Sequence, residues 1–227
     1  MDRRRHRPFV LALVLQTAPG IRRANAAFPG ANGKIVFTAM VGQDRQVFTV
    51  NPDGSGLTQL TTGPGWNLYP KWSPDGTKIV FERRVERKRG VPGQVAVMNA
   101  AGSGLTVLAS TRADTYPAWS PDGKRIVFVS NLVKPRDVSR APIGEANRQL
   151  WTMHPDGTNR RQITEDSDKH REPAWSPDGT KIVFEHGTYT NDFSSGDIWV
   201  MAADGSNPTR VTSLGTAESP DRQPATP

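Results

Sequence analysis

The stretch that decides the fold is AWSPDGKRIVF at residues 118–128, and two near copies flank it, KWSPDGTKIVF at 71–81 and AWSPDGTKIVF at 174–184. In each copy, Ser-Pro-Asp-Gly fits a tight turn, because Pro fixes φ, Asp suits the third position and Gly accepts a positive φ. The run that follows is rich in β-branched and aromatic residues, as strands are. Each copy therefore predicts two strands joined by a tight turn.

A second repeated segment completes each unit. Residues 149–153, QLWTM, precede an HPDG turn and then the run RRQIT at 160–164, with equivalents at 46–60, 94–108 and 198–212. Every unit thus holds four predicted strands. Repeats of this content at intervals of about 40–50 residues are typical of the blades of a β-propeller.

The opening unit is degenerate, since ANGKIVF at 31–37 replaces the longer motif, although Asn-Gly still suits a turn. We predict an all-β domain, a β-propeller of four-stranded antiparallel blades, over residues 27–227. The predicted blades are 28–68, 69–115, 116–172 and 173–218. Residues 219–227 look like the start of a fifth unit or a segment that closes the first. This pattern fits three arrangements. The four blades close into a small ring, they form a piece of a larger ring, or the ring is closed by oligomerisation.

Large aromatic residues hold fixed positions in the repeat. They are Trp72, Trp119 and Trp175 in one position, Phe37, Phe81, Phe128 and Phe184 in a second, and Trp151 and Trp199 in a third, which Phe48 and Ala96 fill elsewhere. We interpret these side chains as the core that packs neighbouring blades together. Stacking on a ligand is the alternative.

The pattern Trp-Ser-Pro-Asp-Gly-x-x-Ile-x-Phe resembles the WD40-like repeat of the TolB family of β-propellers, and the resemblance covers most of residues 28–224. It implies a periplasmic protein that works in the Tol–Pal envelope system by binding partner proteins. TolB carries an α/β domain before a six-bladed propeller, whereas only residues 1–27 precede the four units recognised here. The resemblance is therefore to the repeats, and we do not assign the chain to Tol–Pal.

The first 26 residues differ in kind from the repeats. Four arginines near the start precede the apolar run FVLALVL at 9–15, and Ala24-Asn25-Ala26 offers a small-residue cleavage site. This order predicts a signal peptide and hence export to the periplasm or beyond. The alternative is a basic tail on a cytosolic protein. The run is far shorter than the roughly 20 residues of a membrane-spanning helix, so we expect no membrane span.

The formal net charge of +7 comes mostly from this leader. Residues 1–26 hold six of the 29 basic and one of the 22 acidic residues, which leaves 23 and 21. Nucleic acid, which favours strongly basic chains, is therefore not an expected partner. The chain has no Cys, which excludes disulfides, Cys-ligated metals and thiol nucleophiles.

If the four strands of each blade are labelled a to d outward from the propeller axis, the b–c connections of all blades lie on one face of the propeller. All marked length variation falls there, and insertions that collect on one face of a repeat protein often mark its binding face. Basic residues concentrate in two of these connections: Arg83, Arg84, Arg87, Lys88 and Arg89, then Lys134, Arg136 and Arg140. We predict that they bind an acidic partner, and a solvated loop tip is the alternative.

The sequence marks no catalytic, cofactor or metal site. There is no Gly-x-Ser-x-Gly string, and the Pro-Asp-Gly turns lack the spacing of a calcium loop. His154 holds a turn position, whereas His170 and His186 fall on the same predicted face, where a joint site with Asp168 or Asp192 is a minor alternative.

We therefore expect an exported, non-catalytic propeller that binds an envelope or extracellular protein. The second hypothesis is a carbohydrate-binding or lyase-type propeller.

Overall fold

The computed structural model describes residues 33–86, 93–109, 114–131, 148–166, 168–187 and 196–221. All regular secondary structure in these ranges is β, and they contain no helix. Leader residues 1–26 lie outside the described residues.

The described residues form fifteen strands, which follow one another in four units. The first unit holds β1 (Ile35–Val41), β2 (Asp44–Val50) and β3 (Thr58–Gln59). The second holds β4 (Trp66–Trp72), β5 (Lys78–Arg84), β6 (Gln94–Asn99) and β7 (Thr106–Ala109). The third holds β8 (Asp114–Trp119), β9 (Ile126–Ser130), β10 (Gln149–Met153) and β11 (Arg161–Gln162). The fourth holds β12 (Lys169–Trp175), β13 (Lys181–Gly187), β14 (Asp197–Ala202) and β15 (Thr209–Arg210).

Within each unit, consecutive strands pair antiparallel. The first two units form one sheet, because Arg45 of β2 makes a single parallel bridge to Trp66 of β4. The third and fourth units are separate four-stranded sheets. This confirms the predicted fold, antiparallel propeller blades, and in the described ranges no strand pair joins the fourth unit to the first.

The aromatic positions of the repeat are paired across strands. Phe81 lies opposite Ala96, Phe128 opposite Trp151 and Phe184 opposite Trp199. Trp72, Trp119 and Trp175 each lie opposite an isoleucine of the following strand. The regular spacing of the sequence thus becomes a regular cross-strand register, the geometry in which large side chains stabilise a sheet.

The core lies between successive blades rather than inside any one of them. Between the second and third blades, Val80 and Val97 pack with Trp119 and Phe128 of the next sheet. Equivalent clusters join the first blade to the second and the third to the fourth. One blade therefore buries its apolar faces only against its neighbours.

The repeat phenylalanine of the first blade is less buried than its counterparts in the other blades. Phe37 stacks on Phe48 with ring centroids 5.7 Å apart, but both rings are only half-buried. Phe81, Phe128 and Phe184, at the same repeat position as Phe37, are buried. This position faces the preceding blade, and the described residues hold none before the first.

Each Ser-Pro-Asp-Gly turn is closed by its own side chains. In the third blade, Ser120 Oγ donates to Asp122 Oδ1 at 2.6 Å and accepts from the backbone N–H of Arg125 at 2.9 Å. The same arrangement surrounds Ser73 and Ser176. The Ser120 hydrogen bond, with that from the Lys124 N–H, lowers the pKa of Asp122. The turn is therefore fixed locally, which explains why its sequence recurs unchanged.

The inner strands begin a few residues before the predicted blade boundaries at 69, 116 and 173. Tyr69, Tyr116 and Glu172 have φ between 46° and 52°, and the pairing register shifts around each of them. This bulge divides the inner strand, and the sequence marks only the part after it.

The end of the described chain repeats the start of an inner strand. Ser219 has a φ of 51°, like the bulge residues, and Thr216 makes a parallel bridge to Gly196 as Trp66 does to Arg45. The Ala217 N–H also donates to the Gly196 carbonyl at 2.9 Å.

Two glycines at equivalent positions of the c–d turns distinguish the need for a positive φ from the need for close packing against the preceding blade. Gly54 and Gly157 both have a φ of 85°, but a Cβ at Gly54 would meet nothing, whereas at Gly157 it would overlap the Leu108 carbonyl of the preceding blade. We expect Gly54→Ala to cost about 1–2 kcal/mol of unfolding free energy through backbone strain alone. Gly157→Ala should cost a further 1–3 kcal/mol or so through overpacking. Urea unfolding of both variants measures the difference, and equal losses would contradict tight packing between blades.

The Ser120–Asp122 turn predicts a pH-dependent contribution to stability. Because the pKa of Asp122 is depressed below its normal value of 3.8, its contribution is present above about pH 4 and is lost as the pH falls through the folded-state pKa. Asp122→Asn should therefore lower the melting temperature at pH 7. As the pH is lowered below about 4, the difference in melting temperature between the variant and the native chain should shrink. A difference that persists at acid pH would show that the charge of Asp122 does not matter.

Candidate binding face

The b–c ends of the blades form one face, and they differ far more than the opposite ends do. The b–c connection is two residues, Gly42 and Gln43, in the first blade, and spans 85–93, 131–148 and 188–196 in the others. The a–b turns, in contrast, are built on the same Ser-Pro-Asp-Gly string three times. We call the variable end the b–c face.

Only two of the eight predicted basic contact residues are described. Arg83 and Arg84 lie at the end of β5, both half-buried. The other six, Arg87, Lys88, Arg89, Lys134, Arg136 and Arg140, lie outside the described residues.

Arg84 has a structural role beneath this face. Its Nε donates to Glu82, whose side chain has no exposed surface, whereas that of Arg84 is 20% exposed. The Glu82 carboxylate also accepts from the Thr115 hydroxyl of the third blade. Arg84 therefore neutralises a buried acid that links two blades, a role that the run of basic residues did not indicate.

A second buried carboxylate lies beside the first. Asp114 is fully buried and is held by both terminal nitrogens of Arg160 at 3.1–3.2 Å. Burial raises the pKa of Asp114, although hydrogen bonds from Ser130 and Arg160 favour its charged form. The Arg160 guanidinium also lies 4.7 Å above the Phe128 ring. Sequence reasoning missed this pair because its members stand 46 positions apart.

Exposed apolar side chains border the same face. Met40, Val41 and Val85 are 56%, 42% and 53% exposed. They lie at the b–c ends of β1 and β5, in the sheet that the first two blades share. A surface of basic and apolar side chains is suited to a protein partner.

The structure brings together the two histidines that the sequence placed on one face. His170 in β12 lies opposite His186 in β13, with ring centroids 5.0 Å apart. His186 Nε2 is 3.4 Å from Asp168 Oδ2, while Asp192 lies outside the described residues. His154 is at a c–d turn, where its ring contacts Thr158 and Asn159.

Asp166 completes this group, and no sequence signal marked it. Its Oδ2 is 3.3 Å from His170 Nε2 and 3.8 Å from His186 Nε2. Although burial raises the pKa of Asp166, the neighbouring imidazoles of His170 and His186 hold it well below its usual range. Asp166 is therefore an anion at neutral pH.

The inner strands β4, β8 and β12, together with residues 219–221, line a cavity of about 710 Å³. It is lined by the repeated Trp72, Trp119 and Trp175 and by Tyr69 and Tyr116, whose ring centroids are 4.5 Å apart. Burial, together with the Tyr69 hydroxyl, raises the pKa of Tyr116. The same tryptophans thus pack the blades together and line this cavity.

These blades, with their packing and shared cavity, define a β-propeller of the kind found in TolB. The family model of the TolB beta propeller domain, PD40, matches residues 14–141. That is more than half of the chain, and the chain therefore belongs to the TolB beta propeller domain family.

Three comparisons with individual proteins agree with this assignment. A protein TolB homolog of Chlorobium luteolum is 30% identical over 157 residues, which are 69% of this chain and 32% of that protein. A putative TolB from Agrobacterium tumefaciens superposes with a TM-score of 0.62 at 22% identity, covering 77% of this chain and 59% of that one. TolB from Acinetobacter baumannii superposes with a TM-score of 0.56 at 19% identity, covering 76% and 38%. The chain thus spans about a third of the length of its curated relative.

Among the residues that the structure describes, there is no helix long and apolar enough to cross a membrane.

Neighbouring arginines should differ sharply in their contribution to stability. Arg84→Gln removes the cation beside buried Glu82, and losing one partner of a buried pair is costly. Since Arg84 is partly exposed and screened by solvent, we expect a loss of about 1–3 kcal/mol. Arg83→Gln, the matched control, should change unfolding free energy by less than about 0.5 kcal/mol. Equal effects in urea unfolding would contradict this role of Arg84.

Proposed function

We propose that this chain is an exported, non-catalytic propeller that binds another protein of the cell envelope or extracellular space through its b–c face. The observation that carries the proposal is the contrast between the two ends of the blades. The a–b turns repeat one sequence, whereas the b–c connections change in length and composition from blade to blade. Loops that vary on a constant scaffold are where binding function usually lies.

The chemistry of the b–c face supports a protein with acidic and apolar groups as the partner. Met40, Val41 and Val85 supply exposed apolar surface, and Arg83 and the basic residues that follow it supply positive charge. Apolar contacts contribute most of the affinity of such interfaces, while charges steer association and select the partner.

Family membership and the N-terminal sequence support the cellular setting. TolB proteins, which this chain resembles in its repeats, work in the envelope by binding partners. The basic start, apolar run and small-residue site of residues 1–26 are those of a signal peptide. Both features favour an envelope or extracellular partner.

A site-specific crosslinking experiment tests which end of the propeller binds. A photoreactive amino acid is placed at Glu86 or Val85 on the b–c face, and in control chains at Asp75 or Lys78 beside the a–b turn. The chains are then irradiated with an envelope fraction of the source cells. We expect discrete protein adducts from the first pair only. Adducts from the a–b positions alone would disprove the proposed face.

The contribution of charge is tested with the partner identified in this way. A variant in which Arg83, Arg87, Lys88 and Arg89 are all neutralised should bind the partner at least about tenfold more weakly and with less dependence on salt. Arg84 is left in place because it pairs with buried Glu82. Neutralising Lys78 and Lys181 at the opposite end is the control and should leave affinity unchanged. Equal affinity of both variants and the native chain would exclude the basic cluster from the interface.

A further inference from the structure

The strongest unassigned feature is a cluster of titratable side chains where the third blade leads into the fourth. We call Asp166, Asp168, His170 and His186 the Asp–His cluster. One donor atom from each of Asp166, His170 and His186 lies within 4.8 Å of the other two. The binding proposal above uses none of these side chains.

His170 presents a nitrogen without a hydrogen bond to the centre of the cluster. The residue has no exposed surface, and its Nδ1 lies 3.0 Å from the Arg148 carbonyl, to which it donates. That contact places a proton on Nδ1, and Nε2 lies on the other side of the ring, 3.3 Å from Asp166 Oδ2. Buried Nε2 has no hydrogen-bond partner. Metal-ligating histidines are commonly oriented in this way, with the distal nitrogen bonded to a carbonyl.

The second imidazole is held in position by a different contact. His186 lies opposite His170 in the β12–β13 register, so that adjacent strands present both rings at the same place. The His186 ring stacks on Trp199 with centroids 4.5 Å apart. Rings fixed by strand register and packing lose little entropy on binding a ligand.

The loop that carries Asp166 is also fixed. Gln149 Nε2 donates to the Asp166 carbonyl at 2.9 Å and to the Asp168 carbonyl at 3.2 Å. Asp166 Oδ1 accepts from the Asp168 N–H at 3.0 Å. These bonds leave Asp166 Oδ2 facing the two imidazoles.

We propose that the Asp–His cluster binds a divalent transition-metal ion of the Zn²⁺ type. Two imidazole nitrogens and a carboxylate oxygen suit Zn²⁺ and its neighbours, whereas Ca²⁺ and Mg²⁺ prefer oxygen ligands throughout. Ligands about 2.0–2.1 Å from a tetrahedral ion stand roughly 3.4 Å apart. Asp166 Oδ2 lies 3.3 and 3.8 Å from the two imidazole nitrogens, which are within 4.8 Å of each other. Asp168 Oδ2 lies 3.4 Å from His186 Nε2. Asp168 or a water molecule supplies the fourth ligand.

A bound ion would tie the connection entering the fourth blade to the b–c end of β13. It would therefore stabilise the b–c face next to the connection 188–196. The competing explanation is a proton in place of the metal, with an imidazolium paired to Asp166.

Direct titration separates these explanations. The full chain, made without a polyhistidine tag and stripped with EDTA, is titrated with Zn²⁺ at pH 7.5 against a chromogenic chelator. Asp166→Asn, which preserves shape, and His186→Ala remove ligands. His154→Ala, which removes a turn histidine outside the cluster, is the control. Co²⁺ is added to each chain in parallel, because its visible absorption reports tetrahedral coordination.

We expect one Zn²⁺ per native chain with micromolar or tighter affinity, unchanged in His154→Ala and weakened about 100-fold or more in Asp166→Asn and His186→Ala. Zn²⁺ should also raise the melting temperature of the native and control chains only, because it binds the folded state. The proposal is overturned if the native chain binds no Zn²⁺, or if Asp166→Asn binds it as the native chain does.

Discussion

Everything in this structure depends on the packing of one blade face against the next. Phe81, Phe128 and Phe184 are buried because each faces the preceding sheet. Phe37, at the same position but with no blade before it among the described residues, is half-buried. The glycines of the c–d turns serve the same contact, since a Cβ at Gly157 would overlap the Leu108 carbonyl. The absence of a side chain at these turns therefore allows the blades to approach closely.

The two ends of the blades differ in how much their connections vary. The a–b turns are nearly constant, whereas the b–c connections are not. The a–b turns are bound into the blade by Ser–Asp hydrogen bonds, so their length changes little. The b–c connections, in contrast, range from two residues in the first blade to residues 131–148 in the third. Buried pairs such as Glu82 with Arg84 and Asp114 with Arg160 hold the inner strands beneath them. A recognition surface can therefore change there while the blades remain as they are.

Much of this fold could be predicted from the sequence because the chemistry that determines it is local. Ser120, Pro121, Asp122 and Gly123 form their turn largely from their own side chains, and the strands on either side follow from it. The bulge at Tyr116 was not predicted, because a positive φ at tyrosine has no local signature.

The candidate sites were less accessible to sequence reasoning because they join distant residues. Arg84 looked like one member of a basic run, yet its partner is buried Glu82 on the same strand. The sequence placed His170 and His186 on one face, but only the β12–β13 register shows that their rings are in contact. Asp166 lies in a connection that has no distinguishing sequence pattern. Long-range register, rather than composition, decides which side chains meet.

Because each core cluster belongs to a pair of blades, stability along the chain is a sum of nearest-neighbour couplings. Within the described residues, the second and third blades pack against a neighbour on both faces, whereas the first and fourth do so on one. Amide hydrogens should then exchange in a gradient, fastest in β1 and slowest in β6 and β9. A contact that holds an outer blade in place would therefore also reduce local opening in the blades packed behind it.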